Sequence, residues 1–366
     1  MRRSRRAGDA GIEADRRIEA LLTLLKTRPL SLPAILVWTL RGRPDPKRRL
    51  IEAMPQTAAQ RPDARAVPTR GGVASAWAAA LRLHQWSKNL LLFAPLLLGG
   101  GGSDIGAWTA CLIGFAAMGC LASATYVLND LLDLAEDRAH GSKRHRPFAS
   151  GRLPPRAGLV FVPFGTAAGL ALGWMAGGPA AAAMLLAYLA LTLAYSLRLK
   201  REPVLDVIAL GGLFTLRLVL GVVCARMAWS PWLLVFSMFL FTSLSFAKRY
   251  AELERLTGQA TAMIAGRGYG ARDKPVVLAL GVALACAAVL VLVTYLTGEA
   301  FRAPFYRDPH LLWGLPVTLT VWLGRVWILC GRGELPDDPT AFAVRDRTSL
   351  MLGAIVAGCV LGALTL

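Results

Sequence analysis

Residues 105–146, IGAWTACLIGFAAMGCLASATYVLNDLLDLAEDRAHGSKRHR, indicate the fold class, because a long uncharged run ends abruptly in acidic and basic side chains. A helix that crosses a bilayer needs about 20 mainly apolar residues, and residues 105–128 supply them. In lipid the backbone must satisfy its own hydrogen bonds, so such a run forms a helix rather than a lone strand. The stretch therefore predicts a membrane-spanning helix with a charged cluster at its exit.

Apolar runs of this kind recur along the rest of the chain. The composition is 55% hydrophobic and only 17% charged, whereas soluble domains are about 25% charged. We predict an all-α, polytopic membrane bundle of about nine transmembrane helices. The nine predicted spans cover residues 88–102, 105–128, 157–177, 179–197, 203–225, 229–247, 275–297, 310–330 and 348–366.

The basic residues lie mostly on one side of the predicted spans. The chain has 41 Lys and Arg and a net charge of +18, yet the loops on the other side hold only Arg226, Arg302 and Arg307. Such asymmetry predicts that the N-terminus and the charged loops are cytoplasmic and that the C-terminus lies outside a bacterial-type plasma membrane. The positive charge then faces anionic membrane lipid, and no nucleic-acid partner is predicted.

The exit of the helix at 105–128 carries a predicted Mg²⁺ site. Four oxygen-bearing side chains fall within roughly a quarter of the helix circumference. They are Asn129, Asp130, Asp133 and Asp137. Stacked carboxylates repel one another unless a hard divalent cation lies between them, and Mg²⁺ completes its shell with substrate phosphate. Arg144 and Arg146 follow and suit the excess phosphate charge; a plainly solvated loop is the alternative interpretation.

Three more polar clusters lie on the same predicted side of the bundle. Each one alone is typical of interfacial anchoring, but together they favour a shared polar cavity on the cytoplasmic side. They comprise Lys88 and Asn89 at the start of the first span, Tyr195, Lys200, Arg201 and Asp206 after the fourth, and Lys248, Arg249, Tyr250 and Glu252 after the sixth.

Two arginines lie inside predicted spans. Arg217 is in LGGLFTLRLVLG (210–221) and Arg325 is in TVWLGRVWIL (320–329). A charge at the centre of a spanning helix costs about 2.5–3.5 kcal/mol on insertion scales, so each should face the bundle interior and a partner. A phosphate or Asp206 is the predicted partner of Arg217.

These motifs resemble those of the UbiA superfamily of intramembrane prenyltransferases. NDLLDLAEDR (129–138) is similar to its first aspartate motif, NDxxDxxxD, and YSLRLKR (195–201) is similar to its YSxxKR stretch. The resemblance covers residues 78–366, which we take as the transferase domain, and includes the nine-helix count. It implies that Mg²⁺ on the aspartates binds a diphosphate and that the attached group passes to an acceptor at the membrane.

The resemblance and the site chemistry together assign a role to each candidate. The predicted metal residues are the four named above. The predicted catalytic residues are Asp130, Asp133, Asp137, Lys200 and Lys248. The predicted substrate-binding residues are Lys88, Asn89, Arg144, Arg146, Tyr195, Arg201, Arg217, Arg249, Tyr250 and Glu252.

One departure from the superfamily pattern bears on the substrate. Aromatic prenyltransferases of this superfamily carry a second motif of the form DxxYAxxDxxDD, where this chain has KRYAELERL (248–256). The chain looks more like the branch that contains decaprenyl-phosphate phosphoribosyltransferase, which also shows QWxKN and DP…DR segments, here QWSKN (85–89) and DPTAFAVRDR (338–347). That likeness implies phosphoribosyl diphosphate as the phosphorylated donor and a polyprenyl phosphate as the lipid acceptor.

Two other functions stay open on the sequence. One is prenyl transfer from a polyprenyl diphosphate to an aromatic acceptor of the 4-hydroxybenzoate type, which aspartates at 248–254 would favour. The other is a lipid-phosphate transporter or scaffold without turnover, which internal repeats and broken helices would favour.

Residues 1–72 form a predicted basic, cytoplasmic extension. AGIEADRRIEALLTLLKT (10–27) predicts an amphipathic helix, and PLSLPAILVWTLRGR (29–43) is too short to span a membrane and predicts an interfacial segment. LLTLLKTRPLSLPAILVWTLRGRPDPKRRL (21–50) resembles part of a haloacid-dehalogenase-type phosphatase domain, but the nucleophile motif DxDGT is absent from the chain. The resemblance implies a remnant without phosphatase chemistry.

Overall fold

The computed structural model describes residues 72–365, except residues 140, 257–262, 265 and 336–338. The predicted N-terminal extension and its phosphatase-like segment therefore lie almost wholly outside the described residues. The α-helices are α1 (Val73–Ala80), α2 (Ala94–Leu98), α3 (Ile105–Leu132), α4 (Leu134–Ala139), α5 (Pro155–Leu197), α6 (Leu205–Ala225), α7 (Pro231–Glu254), α8 (Lys274–Gly298), α9 (Gly314–Gly331), α10 (Pro339–Ala343) and α11 (Arg347–Thr365).

Seven helical segments of the described chain are long and apolar enough to cross a membrane. The predicted number of nine spans is not confirmed. Helix α5 contains two of the predicted spans, 157–177 and 179–197. Gly177 and Gly178 separate them with non-helical backbone angles, and Gly178 has φ +65°. The first predicted span, 88–102, is instead the last part of a 3-10 helix, Leu83–Phe93, followed by the five-residue α2. The glycine run after Leu98 does not favour continuing that helix.

Two compact units make up the chain, and each has its own packing. The first contains the described residues 72–81 and 126–161. Its core surrounds the fully buried ring of Phe148, which Trp77 meets edge-on with ring centroids 6.3 Å apart. Gly158 permits this packing, since a Cβ there would lie 2.9 Å from the Phe148 ring. The aspartate segment that follows α3 belongs to this unit.

The second unit contains the described residues within 82–125 and 162–366. Helix α7 packs against both α6 and α8, and the stacked rings of Phe214 and Phe241, 4.4 Å apart, join α6 to α7. The 3-10 helix Leu83–Phe93 lies directly on α6, because Gly221 leaves room for the Leu92 carbonyl. A Cβ on Gly221 would lie 2.0 Å from that oxygen. This close approach brings the end of the 3-10 helix to the last turns of α6.

The last helix of the second unit begins at an ion pair. Arg325 in α9 donates two hydrogen bonds to the Asp346 carboxylate, at 2.6 and 3.1 Å. The Asp346 carboxylate also accepts from the Ser349 backbone N–H at 2.8 Å, at the start of α11. The hydrogen bonds from Arg325 lower the pKa of Asp346 below its ordinary value. Arg325 thus has the partner that its position inside an apolar helix requires.

Candidate functional site

The aspartate segment keeps a helical path across the junction of α3 and α4. The Asp133 N–H donates to the Asn129 carbonyl at 2.9 Å, and the Asp137 N–H donates to the Asp133 carbonyl at 2.8 Å. Asp130 and Asp137 are seven residues apart and so lie on one helical face. Both are 2% exposed, whereas Asn129 and Asp133 are half-buried.

Asp130 and Asp137 converge on one cationic nitrogen, the Nη1 of Arg146. That nitrogen donates to Asp130 Oδ1 at 3.2 Å and to Asp137 Oδ2 at 2.7 Å. The Arg146 side chain is 29% exposed, so a hard divalent ion, which takes oxygen ligands and few carboxylates, could replace its guanidinium between the two carboxylates. Within the described residues no three His, Cys, Asp or Glu side chains gather closely enough to hold a metal ion. The four predicted metal residues are thus brought together only in part, and Arg144 of the predicted site is exposed.

A second cluster, which we call the Asp206 network, lies where α6 begins and α7 ends. Asp206 is fully buried, and its two carboxylate oxygens accept from different elements. Oδ2 accepts from Arg249 Nε at 2.7 Å, and Oδ1 accepts from Tyr269 Oη at 2.6 Å. Arg249 is also fully buried, and its Nη1 donates to Glu252 Oε2 at 2.5 Å. A buried charge of this kind is tolerated because it is paired and hydrogen-bonded.

Arg267 forms the partly exposed edge of the Asp206 network. Its Nη1 donates to Tyr195 Oη at 3.0 Å and lies 3.5 Å from Asp206 Oδ2. Its Nε lies 3.8 Å from Glu252 Oε2. The Arg267 side chain is 21% exposed, whereas that of Arg249 is 0% exposed. The network therefore balances two carboxylates with two guanidinium groups and presents Arg267, not Arg249, toward solvent.

Tyr269 ties the loop before α8 to the start of α6. Its Oη donates to Asp206 and accepts from the backbone N–H of Val204 at 2.7 Å. Val204 has φ +67°, a conformation that strains a β-branched residue and persists only where surrounding contacts hold it. Burial, and then the hydrogen bond to Asp206, raise the pKa of Tyr269. The phenol therefore stays protonated and remains a donor to Asp206.

Two predicted substrate-binding residues of α7 are buried. Arg249 was expected to meet a phosphate, but it has no exposed surface and its nitrogens face Asp206, Glu252 and Tyr195. Tyr250 packs edge-on against Trp327, with ring centroids 6.3 Å apart. Consecutive residues point about 100° apart on a helix, so Tyr250 turns away from the Asp206 network. Arg249 and Tyr250 are thus engaged in contacts inside the fold, and their contact with substrate stays a prediction.

The other predicted residues of this region remain near the surface. Lys248 is half-buried at the end of α7. Lys200 and Arg201 lie on the 3-10 turn Leu199–Arg201, where Lys200 is half-buried and Arg201 is exposed. Their expected contacts with substrate stay predictions.

A third cluster surrounds Arg217 in the middle of α6. Arg217 is 5% exposed, which confirms that it faces the interior. Its Nε donates to Asn89 Oδ1 at 3.0 Å, its Nη2 to Tyr188 Oη at 2.8 Å and its Nη1 to the Leu213 carbonyl at 2.6 Å. The predicted pairing of Arg217 with Asp206 is wrong, because Asp206 accepts from Arg249 and Tyr269 instead.

Sequence reasoning missed three residues of these clusters. Arg267 and Tyr269 lie in GRGYG (266–270), where glycines flank an arginine and a tyrosine. That pattern is a usable signal, because flanking glycines let a loop backbone approach its neighbours: a Cβ on Gly268 would lie 2.5 Å from the Arg201 carbonyl. Tyr188 is a single phenol inside an apolar span and gave no such signal.

Comparison with known proteins identifies relatives of this chain. The UbiA prenyltransferase family matches residues 89–345. The uncharacterized protein y4nM of Sinorhizobium fredii is 44% identical over 77% of this chain and 54% of its own length, and the nodulation protein NoeC of Azorhizobium caulinodans is 33% identical over 77% of this chain and 89% of its own. The decaprenyl-phosphate phosphoribosyltransferase of Mycolicibacterium smegmatis is 35% identical over 52% of this chain and 61% of its own.

The fold matches solved structures as well. A UbiA homologue from Archaeoglobus fulgidus bound to DMAPP and Mg²⁺ superposes with a TM-score of 0.59 at 17% sequence identity, covering 78% of this chain and 97% of that one. The chain spans only about half the length of y4nM, at 54%. The family match itself covers most of the chain, and the apolar helices are those of an integral membrane protein. The chain belongs to the UbiA prenyltransferase family of membrane transferases.

Proposed function

We propose that this transferase moves 5-phosphoribose from phosphoribosyl diphosphate to a polyprenyl phosphate, with Mg²⁺ as cofactor. The observation that carries the proposal is the Asp206 network. It lies at the end of α7, where prenyl-transferring members of the superfamily are expected to place a second set of metal-binding aspartates. Here Arg249 is fully buried at that position and hydrogen-bonded to Asp206 and Glu252.

The electrostatics of the Asp206 network argue against a second metal cluster there. Both Asp206 oxygens accept short hydrogen bonds, and Glu252 accepts from Arg249. A divalent cation would have to displace a buried guanidinium from its carboxylates, which leaves an uncompensated buried charge. The exposed edge of Arg267 instead offers a donor to a phosphate, which suits two substrates that each carry phosphate.

The relatives support the same assignment. The Mycolicibacterium smegmatis relative is named a decaprenyl-phosphate phosphoribosyltransferase, and the match includes about half of this chain. The donor and the acceptor of that reaction class both carry phosphate, which the basic residues of segment 248–256 favour.

The aspartates that follow α3 would supply the metal site of the reaction. Asp130 and Asp137, with Asp133 and Asn129 beside them, would hold Mg²⁺, which when bound offsets the charge of the diphosphate leaving group. An acceptor phosphate oxygen forms the new bond to the anomeric carbon, and the bond from that carbon to diphosphate breaks and releases pyrophosphate. The attacking group belongs to the substrate, so no nucleophilic side chain is required. Cations such as Lys88 and Arg267 stabilise charge on phosphate oxygens.

Prenyl transfer to an aromatic acceptor is the second candidate. It is supported by the Archaeoglobus fulgidus homologue, which binds DMAPP and Mg²⁺, and the paired carboxylates of Asp130 and Asp137 would serve a prenyl diphosphate as well. The two candidates share the aspartates and differ in what approaches the Asp206 network.

A two-substrate assay separates them. Purified full-length protein in lipid nanodiscs with Mg²⁺ receives either labelled phosphoribosyl diphosphate with a polyprenyl phosphate, or labelled prenyl diphosphate with 4-hydroxybenzoate. We expect phosphoribosylated lipid from the first pair and no prenylated 4-hydroxybenzoate from the second, and neither product from an Asp130→Asn variant. Prenylated 4-hydroxybenzoate without any phosphoribosylated lipid would refute the proposal and establish the second candidate.

A further inference from the structure

The Arg217 cluster has an unbalanced buried charge. Within the described residues no carboxylate pairs with Arg217, whose hydrogen bonds all go to uncharged oxygens, on Asn89, Tyr188 and Leu213. Its guanidinium carbon lies 4.9 Å from the Tyr188 ring centroid and 5.4 Å from that of Phe214. Ring faces offset part of a positive charge, but a cation held inside a membrane bundle still calls for an anion.

Asn89 carries a second, independent sign of a missing ligand. Its side chain is 1% exposed, and its Oδ1 accepts from Arg217. The Nδ2 of the same amide is buried and has no hydrogen-bond partner among the residues that the structure describes. Buried donors are nearly always satisfied, and an exception calls for a specific explanation. Because Arg217 fixes which end of the amide accepts, the unsatisfied end of Asn89 is a donor.

Lys88 adds a third donor to the same place. Its Nζ lies 5.9 Å from the ring centroid of Phe214, the ring that also faces Arg217. Lys88 is half-buried and can therefore be reached from outside the cluster. The side chain of Arg217 runs back along α6 to the Leu213 carbonyl, toward the end of the helix that carries Asp206. Ammonium, amide and guanidinium groups are all donors and match a ligand whose oxygens only accept.

We propose that Lys88, Asn89 and Arg217 form a metal-independent site for the phosphate of a phosphate monoester. The proposal deepens the proposed function and rests on it for the identity of the ligand, because both substrates of that reaction carry such a group. One is the phosphate of the polyprenyl acceptor, and the other is the 5-phosphate of the ribosyl donor. Among the described residues the hydrogen bonds of Arg217 involve no carboxylate, so we expect the ligand to bind there without a divalent ion, unlike a diphosphate held by Asp130 and Asp137.

Asn89→Asp tests the site with almost no change of shape. The new carboxylate gives Arg217 the counter-ion that it lacks and removes the Nδ2 donor. We expect the variant to fold at least as stably as the wild type and to bind phosphate more weakly. Arg332→Gln is the matched control, because it makes the same change in net charge at an exposed residue after α9.

The measurement is thermal unfolding of the detergent-purified full-length protein in EDTA, with three ligands titrated separately: undecaprenyl phosphate, ribose 5-phosphate and undecaprenol. We expect stabilisation of the wild type and of Arg332→Gln by at least one of the two phosphates, and none by undecaprenol. Stabilisation by the lipid phosphate alone assigns the site to the acceptor, and stabilisation by ribose 5-phosphate alone assigns it to the donor. The apparent Kd should rise ten- to a hundredfold in Asn89→Asp, the size of one lost charge-assisted contact.

The proposal fails if neither phosphate stabilises the wild type in EDTA, or if Asn89→Asp binds as the wild type does. Should Asn89→Asp not fold, Lys88→Gln gives the same test at a half-buried position, with a tenfold weaker Kd expected and an unchanged Kd refuting the site. Because these measurements need neither Mg²⁺ nor turnover, they stay separate from the assay of the proposed function: phosphate binding without phosphoribosyl transfer would retain the site and reject the reaction.

Discussion

The buried pair of Asp206 and Arg249 should be the most sensitive point of the fold outside the apolar core. In Asp206→Asn the carboxylate charge is lost while Arg249 stays fully buried. The new amide also places an NH₂ group where Arg249 Nε or Tyr269 Oη now donates, at 2.7 and 2.6 Å. Removing one partner of a buried ion pair costs about 3–5 kcal/mol, because the other charge remains uncompensated. At roughly 1.3 °C per kcal/mol, from about 2.1 cal/mol/K of unfolding entropy per residue over a chain of this size, Tm should fall by about 4–7 °C.

Thermal unfolding in detergent checks this prediction with two further variants. Asp206→Asn combined with Arg249→Leu removes both charges and should recover at least half of the lost stability, since a buried pair can be replaced by apolar groups at little cost. Asp308→Asn makes the same chemical change at a helix cap near the surface, where Asn caps about as well as Asp, and should leave Tm unchanged. The reasoning is refuted if Asp206→Asn unfolds within about 1 °C of the wild type, or if the double variant is no more stable than the single one.

Three other outcomes are expected. Asp130→Asn should abolish transfer while membrane insertion, measured by carbonate extraction, is retained; turnover near the wild-type rate, or full activity in excess EDTA, would contradict the metal assignment. In a background without the native cysteines, a cysteine added after Leu366 should react with an impermeant thiol reagent in intact cells, and one placed within residues 141–146 should not; the reverse pattern would overturn the predicted topology. Because Arg325 lowers the pKa of Asp346, the pair stabilises the fold above the ordinary carboxyl pKa, and this contribution is lost as pH falls through the lowered value. Asp346→Asn should therefore unfold at a lower temperature at pH 7 and show a smaller loss of Tm on acidification than the wild type; equal losses would contradict the pairing.

The sequence was sufficient for the fold class and for most of the helices, because apolar runs long enough to cross a bilayer form helices in lipid. The count of spans was harder. Residues 88–102 are apolar enough to span, yet the proline at 95 and the glycines at 99–102 favour short helical pieces. The number of apolar residues in a run also does not reveal that Gly221 lets the 3-10 helix pack closely against α6, a contact between residues far apart in sequence.

Some residues of the candidate site could likewise be placed from the sequence, and others could not. The spacing of Asp130 and Asp137 was enough to place them on one face, because one helix carries both. Arg249 could not be assigned from its neighbours in sequence. Its partners, Asp206 and Tyr195, are 43 and 54 residues away, and only the packing of α7 against the start of α6 decides that its charge turns inward. The surface-facing role falls instead to Arg267, in a loop whose sequence carries few signals besides its glycines.

The long separations within the Asp206 network have a consequence during synthesis. Asp206 begins α6, but its partners Arg249 and Tyr269 are 43 and 63 residues downstream. At about 5–20 residues per second of translation, the carboxylate would wait roughly 2–13 s for its counter-ion and its phenol donor. During that interval α6 carries an unpaired Asp206, so the nascent helix should remain near the protein-conducting channel or an insertase until α7 arrives. Helices α6 and α7 should then leave for the bilayer as a pair, and a nascent chain arrested before residue 249 should stay crosslinkable to the insertion machinery.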